Sequence, residues 1–412
     1  MKIAPRRRTG PECPRCIFHL LVDHGPVAVS RPRLSLAMIV KNESRCLARC
    51  LQSVQGIVDE MVVADTGSTD ETTKIAREFG ARTPQFAWVD DFAAARNFSI
   101  NQTAGDWILV LDADEWADEM LAGEIAAFVR GQPAVGRLKV VSDFRRHNQL
   151  LRSQCYLSRL FPRGGRFQGR IHEQLVSPLP RVPLRGELRH DGYLETRKAD
   201  RNLRLLEAAL ERDPDNVYYL FQLAVEHNAM GRPEKAFDCL QKAFARVRPG
   251  DPAAPNIAVD FLYTIIELKK FEAGLEVVAR AEKRLGGFPD FFLARGLFYM
   301  NLIRSNPAKY ASELPKIEQS FLRCLELGEA DQGGGAPGSG PWASSLRPGE
   351  GGWPGRSVRG AGTFLAHYNL GVFYQVFGNL AGARRCFEAA AAQGYEPAAA
   401  LLEKMAASPG QP

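Results

Sequence analysis

Three apolar segments within the first 115 residues share one kind of ending, and that ending constrains the chain more than any other feature. Leu34–Val40 runs into Lys41-Asn42-Glu43, Ile57–Ala64 stops at Asp65, and Trp107–Leu111 stops at Asp112-Ala113-Asp114-Glu115. Apolar runs of this length, bounded by turn residues, read as buried strands. Helix patterns lie between them. Asn42 is placed to cap a helix whose face is Cys46, Leu47, Cys50, Leu51 and Val54. Ser68 and Glu71 have capping-box spacing for a helix through Phe79, closed by Gly80. Phe86–Val89 reads as a further short strand and Phe92–Gln102 as a helix. Strands alternating with helices imply a parallel α/β sheet. Such sheets bind ligands beyond the carboxyl ends of their strands, so the three endings should meet on one edge.

The acids at those endings are chemically pointed. Asp112 and Asp114 leave an apolar strand one residue apart, with Glu115 beside them. Like charges so close repel, and a hard divalent cation such as Mn²⁺ or Mg²⁺ relieves the repulsion through oxygen ligands. A solvated helix start, where acids are favoured, is the competing reading. Asp65 could accept an N–H from a nucleobase edge, and Gly67 permits close backbone approach. A simple helix-start turn would use the same residues. Arg96 suits either a diphosphate contact or a structural ion pair.

Composition narrows the classes of partner. The net charge is +6, but residues 34–130 carry −8 and residues 131–204 carry +10. An acidic block beside a basic one suits a site holding a cation and a phosphorylated ligand better than it suits nucleic acid. No run of 18 apolar residues is present, so no membrane-spanning helix is expected. Eight cysteines in 412 residues do not make a disulfide framework, and the cytoplasm is the expected compartment. Cys13 and Cys16 form a C-x-x-C in a tail, residues 1–33, that reads as disordered and basic.

After about residue 197 the pattern becomes helical. Leu220–Phe244 and Ala366–Ala390 resemble each other, and an offset of 147 pairs Leu223 with Leu370, Gly231 with Gly378, Ala236 with Ala383 and Cys239 with Cys386. Residues 258–285 and 291–327 look like weaker copies. Each is a helix pair around a turn, similar to the tetratricopeptide repeat, and such pairs need neighbours to bury their faces. Gly328–Gly362 is rich in Gly, Pro and Ser and is expected to be a flexible insertion without a fold of its own; residues 406–412 should be disordered. The expected division is therefore 34–197, then helical repeats over 198–327 and 363–405.

Taken together, Met38–Glu43, Val63–Asp70, Asp91–Asn97, Gly105-Asp106-Trp107 and Leu111–Glu115 resemble a family 2 glycosyltransferase of the GT-A fold. The closest subgroup joins this domain to tetratricopeptide repeats and includes sublancin-type peptide S-glycosyltransferases. The resemblance implies an α/β, Rossmann-like nucleotide-sugar domain followed by an all-α repeat domain. It implies an inverting, metal-dependent transfer from a nucleotide diphosphate sugar, with UDP-hexose as the expected donor, to a peptide, protein or glycan acceptor. By resemblance, Asp65 with the backbone near Ile39 and Glu43 would hold base and ribose. Asn42, Gly67, Arg96, Asn97, Asp112 and Ala113 complete the donor site, Asp114 is the leading metal ligand with Asp112, and His190 completes the metal shell.

The later motif Gly169-Arg170-Ile171-His172-Glu173 implies Glu173 as the general base, against an ion pair with a neighbouring arginine. Asp191 and His172 are rivals. Arg159, Arg163, Arg166 and Arg170 would place positive charge near the diphosphate. The alternative function is an inactive interaction scaffold whose repeats bind a protein.

Overall fold

The first strand is apolar on both faces, and a strand of that kind needs cover on both sides. The computed structural model describes residues 31–146, 149–190, 199–248, 251, 253–328 and 356–407. In it β1 (Leu34–Val40) is buried along nearly its whole length, between β2 (Glu60–Asp65) and β3 (Trp107–Val110), and pairs in parallel with both. Helices α1 (Leu47–Val54), α2 (Thr72–Glu78) and α3 (Phe92–Asn101) connect them. In register, Val40 lies opposite Asp65 and Ala37 opposite Val110, so the acidic endings do share an edge.

Beyond β3 the sheet departs from the expected parallel pattern. After β4 (Glu115–Ala117) and α4 (Glu119–Phe128), the chain folds back as a long antiparallel hairpin, β5 (Val135–Arg146) and β6 (Gln149–Pro162). Short strands β7 (Arg166–Gln168), β8 (Gln174–Val176), β9 (Arg181–Pro183) and β10 (Leu188–His190) follow. The main sheet runs β2-β1-β3-β6-β5-β10-β4, with β9 beside β5, so it is mixed; β7 and β8 pair separately. An antiparallel pair needs only a tight turn, whereas a parallel partner would need a crossover helix.

Three local expectations change. Residues 86–89 form no strand: the neighbouring stretch touches β2 only through isolated bridges at Arg82 and Gln85, and Phe86 turns its ring onto Phe98 at 5.1 Å. The α1 face is as expected, but Cys46 occupies its N-cap and Asn42 sits in the left-handed region at φ 55°. Helix α2 starts at Thr72, and the Ser68 hydroxyl instead accepts the Asn42 N–H at 3.0 Å.

The second half is helical: α5 (Ala199–Arg212), α6 (Val217–Ala229), α7 (Pro233–Arg246), α8 (Ala254–Leu268), α9 (Phe271–Glu282), α10 (Pro289–Ser305), α11 (Pro307–Tyr310) and α12 (Pro315–Leu327). The segments matched at offset 147 are the hairpins α6–α7 and, after a break, α13 (Phe364–Val376) and α14 (Leu380–Ala391); α15 (Glu396–Ala407) ends the described chain, two residues beyond the expected 405. Gly231 and Gly378 both take the left-handed conformation at the turn, where a side chain would be strained. Ala236 and Ala383 are fully buried where the paired helices touch.

The helices and the sheet share a core. Ile171, in the loop after β7, packs with Leu206 of α5 and Leu223 of α6, while Phe144 and Leu151 of the β5–β6 hairpin rest on the main helical core. A second junction lies inside the stretch expected to have no fold. Ser357–Val358 form a strand, β11, antiparallel to β6. The Val358 N–H donates to Asp290, the Arg356 side chain donates to Asp260 at 2.7 Å, and Ala361 is buried. Gly, Pro and Ser dominate the segment's composition and mask these few apolar residues at its end. The remainder of that segment, the Cys13/Cys16 tail and residues 191–198 lie outside the described residues.

Val358 is only 7% exposed at this junction. Val358→Asp would bury a charge there without a partner and should destabilise the protein by about 2–4 kcal/mol, read as a lower melting temperature. An unchanged melting temperature would show that β11 does not hold the two halves together.

Candidate active site

The site begins with the loops that close the edge. The Asn42 side-chain oxygen accepts the Thr69 N–H at 2.7 Å, and the Glu43 N–H donates to the Thr72 hydroxyl at 2.8 Å. The loop after β1 is thereby tied to the loop after β2. Asp65 is buried and accepts the Ser68 N–H at 3.0 Å, so its carboxylate holds a turn. Gly67, exposed at φ 106°, forms the tip of that turn. Ile39 is half-buried near the end of β1.

At the centre lies a chain of opposite charges. Arg96, on α3, donates through Nε to Glu173 and through Nη2 to Asp112 Oδ1 at 2.7 Å. Arg159, on β6, donates to Asp112 Oδ2 at 2.7 Å and to Glu115 Oε1 at 2.8 Å. The order is Glu173–Arg96–Asp112–Arg159–Glu115. Both arginines and Glu115 are almost wholly enclosed, while the Asp112 side chain is 34% exposed. Burial would raise the Asp112 carboxyl, but Arg159 and Arg96 more than offset it and hold it well below the usual carboxylate range. Glu115 moves the other way: burial raises it and Arg159 only partly offsets that. Glu115 also accepts the Asp112 N–H at 2.8 Å, which fixes the Asp-Ala-Asp-Glu turn from within.

Asp112, expected as a metal ligand, has an arginine on each of its oxygens. Asp114, buried, lies 3.5 Å from His190 Nε2, and His190 Nδ1 is 3.0 Å from the Ser142 hydroxyl. Burial would lower His190, but Asp114, Glu115 and Asp112 together hold it above its ordinary value. One carboxylate and one imidazole side by side suit a divalent cation in donor chemistry. Among the described residues no group of three or more His, Cys, Asp or Glu side chains could hold a metal ion, so Asp114 and His190 would share such an ion with non-protein ligands.

The loop carrying Glu173 is held from the helical half. His172 is in the left-handed region at φ 51°, which costs energy for a residue with a Cβ. Its carbonyl accepts from Gln174 Nε2 at 3.1 Å and from the Tyr218 hydroxyl of α6 at 3.4 Å. Its ring meets Tyr218 edge-on at 6.1 Å, and Nε2 is enclosed without an acceptor. Burial pushes the His172 imidazole down to about 4, which makes it a weak base at neutral pH. Glu173 Oε2 takes no hydrogen bond from a described residue. Asp191 lies outside the described residues.

Several of the expected site residues bond or pack within the protein itself. Asn97 exchanges two hydrogen bonds, each 2.9 Å, with the Phe167 backbone. Ala113 is buried in the turn. Arg163 donates to the carbonyls of Thr103 and Gly105, Arg166 to Gly165 and Asn101, and Arg170 to Val89. Of the four later arginines only Arg159 joins the acidic cluster. Tyr218 and Ser142 were missed, because neither belongs to a motif and only the tertiary fold brings them in.

Residues 35–178 match the model described as Glycosyl transferase family 2. This part of the chain is similar to family 2 glycosyl transferase domains. A TPR repeat-containing protein of Synechococcus elongatus is 33% identical over 262 residues, covering 59% of this chain and 63% of that protein. The SPbeta prophage-derived glycosyltransferase SunS of Bacillus subtilis is 30% identical over 226 residues, 52% of this chain and 53% of SunS. The chain thus spans between half and two thirds of the length of these relatives. Among solved structures, MamA aligns with a TM-score of 0.34 and 17% identity, over 48% of this chain and 91% of that one. No helix among the described residues is long and apolar enough to cross a membrane.

Enclosure of His172 has a consequence for stability. Between its ordinary value of 6.5 and about 4, the unfolded chain binds a proton that the fold rejects. Stability is therefore complete above pH 6.5 and falls as the pH drops toward 4. His172→Gln should flatten that slope by up to ~1.4 kcal/mol per pH unit, seen by chemical denaturation at pH 4.5 and 7. An equal slope in the variant would place the titrating group elsewhere.

Proposed function

We propose that this protein transfers a sugar from a nucleotide diphosphate sugar, with inversion at the anomeric carbon, to a peptide, protein or glycan acceptor. One observation carries the reading: the endings of β1, β2 and β3 converge with Glu173 and Asp114 on a single sheet edge, inside a family 2 domain. UDP-hexose is the proposed donor, and SunS, a named glycosyltransferase, supports the class. The Asp65 turn, the backbone at Ile39 and Glu43, and the Gly67 tip would cradle base and ribose, where glycine leaves room for close approach.

Glu173 is the proposed base. Arg96 anchors its Oε1, which leaves Oε2 to take the acceptor proton as the acceptor attacks. A buried arginine also keeps that carboxylate oriented. Asp114 and His190 are the proposed holders of a Mn²⁺ or Mg²⁺ ion, which would neutralise the leaving diphosphate. Asp112 would act through the arginines that clamp it, as the hinge of the charge chain. The repeats would present the acceptor. The described cysteines are free thiols, which supports a reducing, cytoplasmic setting.

Two substitutions test separate parts. Asp114→Ala should abolish Mn²⁺-dependent binding of the donor, measured by calorimetry with UDP- and GDP-sugars. Unchanged affinity would remove Asp114 from the metal site. Glu173→Gln should bind donor as before but lose at least about 100-fold in turnover, followed as nucleotide released from a donor panel. Near-normal turnover would pass the role to Asp191 or His172. A wild-type protein that binds no nucleotide at all would favour the scaffold reading.

A further inference from the structure

Arg201 lies outside every motif of the transferase domain. It is on α5, the first helix beyond the sheet. Its guanidinium carbon stands 4.8 Å from the centre of the Phe92 ring, at the start of α3, and Nη2 donates weakly to Asn202 at 3.3 Å. Burial lowers its guanidinium below the ordinary value, and the carboxylates of Glu43, Glu226, Glu173 and Asp112 only partly offset that; among the described residues none forms an ion pair with it. Its Nε is enclosed and without an acceptor.

Arg201 is not alone in this. Arg96 Nη1 and His172 Nε2 are also enclosed nitrogens without hydrogen-bond partners. Arg96 is bonded to Glu173, His172 precedes Glu173 in the chain, and Arg201 feels Glu173 across the gap. All three stand about the loop that carries Glu173, and Arg201 brings to it a cation that no carboxylate among the described residues pairs, which suits a ligand with anionic oxygens. Glu43 and Asp112, after the ends of β1 and β3, also act on the Arg201 charge, so this guanidinium stands on the side of the edge where the donor would lie.

We propose that Arg201 binds the diphosphate of the nucleotide donor, so that the helical half completes the donor site. This rests on the donor reading above. A guanidinium presents paired N–H groups that match two phosphate oxygens, and Phe92 holds its plane from one face. In the transfer, the bond from the anomeric carbon to the phosphate oxygen breaks, and its electron pair stays on the diphosphate. The acceptor atom forms the new bond to that carbon, and its proton passes to the base. Negative charge grows on the diphosphate as the bond breaks, and Arg201 meets it there. A chain cut before α5 would keep the sheet and its acids but lose this cation.

The test is calorimetry on the full chain with UDP, GDP, UMP and uridine, each with and without Mn²⁺. Arg201→Met should weaken the preferred nucleoside diphosphate by about 30-fold or more and leave the matching nucleoside within about twofold. Arg201→Lys keeps the charge but loses the paired donors, and should weaken the diphosphate by about 3- to 10-fold. Arg204→Ala, on the exposed side of α5, should change nothing, and circular dichroism checks that each variant folds. If Arg201→Met fails to fold, Arg201→Lys decides. Diphosphate affinity unchanged within twofold in the folded variants overturns the assignment and leaves the donor reading standing. An equal loss for nucleoside and diphosphate overturns it too, because the effect would then be on the base pocket. Wild-type protein that binds none of the four overturns the donor reading itself, and this assignment with it.

Discussion

Five side chains in alternating charge, Glu173–Arg96–Asp112–Arg159–Glu115, hold the working edge of this protein together. They come from the loop after β7, from α3, from the end of β3, from β6 and from the start of β4. No two are neighbours within one element, so the chain of pairs fixes the relative position of five pieces of backbone. Buried charges are costly to desolvate, and such pairs rarely add net stability over a well-packed apolar core. Their value here is positional. Each carboxylate is oriented by a planar guanidinium, and losing one arginine would leave the enclosed acid at that end, Glu173 or Glu115, without its arginine and Asp112 with one in place of two.

That arrangement also explains which parts of the site were legible in the sequence. The strand endings and the acids on them were readable, because strand period and turn chemistry are local. The helix pairs were readable because the α6–α7 and α13–α14 segments repeat Gly231 and Ala236 as Gly378 and Ala383. The arginine partners of Asp112 were not, since Arg159 lies 47 positions away and nothing in its surroundings separates it from Arg163, Arg166 or Arg170. Only pairing of β3 with β6 brings Arg159 under the acidic turn. Asn42 misled for a different reason. Its residue type suits a helix cap, but it equally tolerates the left-handed conformation, and the contact with Thr69 decided between them.

The helical half is part of the same construction. Tyr218 steadies the strained His172 carbonyl, Leu206 and Leu223 cover Ile171, and Arg201 stacks on Phe92. The loop bearing Glu173 is thus shaped on one side by the sheet and on the other by α5 and α6. An acceptor carried by the repeats would arrive through elements that already hold this loop, so recognition and chemistry share the same supports.

The strand β11 gives the chain an unusual path. It leaves the helices after α12, adds a strand to the edge-side of β6, and returns to the helices at α13. Both ends of the intervening stretch, at Gly328 and Arg356, are therefore anchored on folded structure. The sheet therefore takes a strand from sequence that lies between two helices of the other half, so neither half is one unbroken length of chain: a cut between residues 328 and 356 would leave β11 joined by the backbone only to α13 and the helices after it.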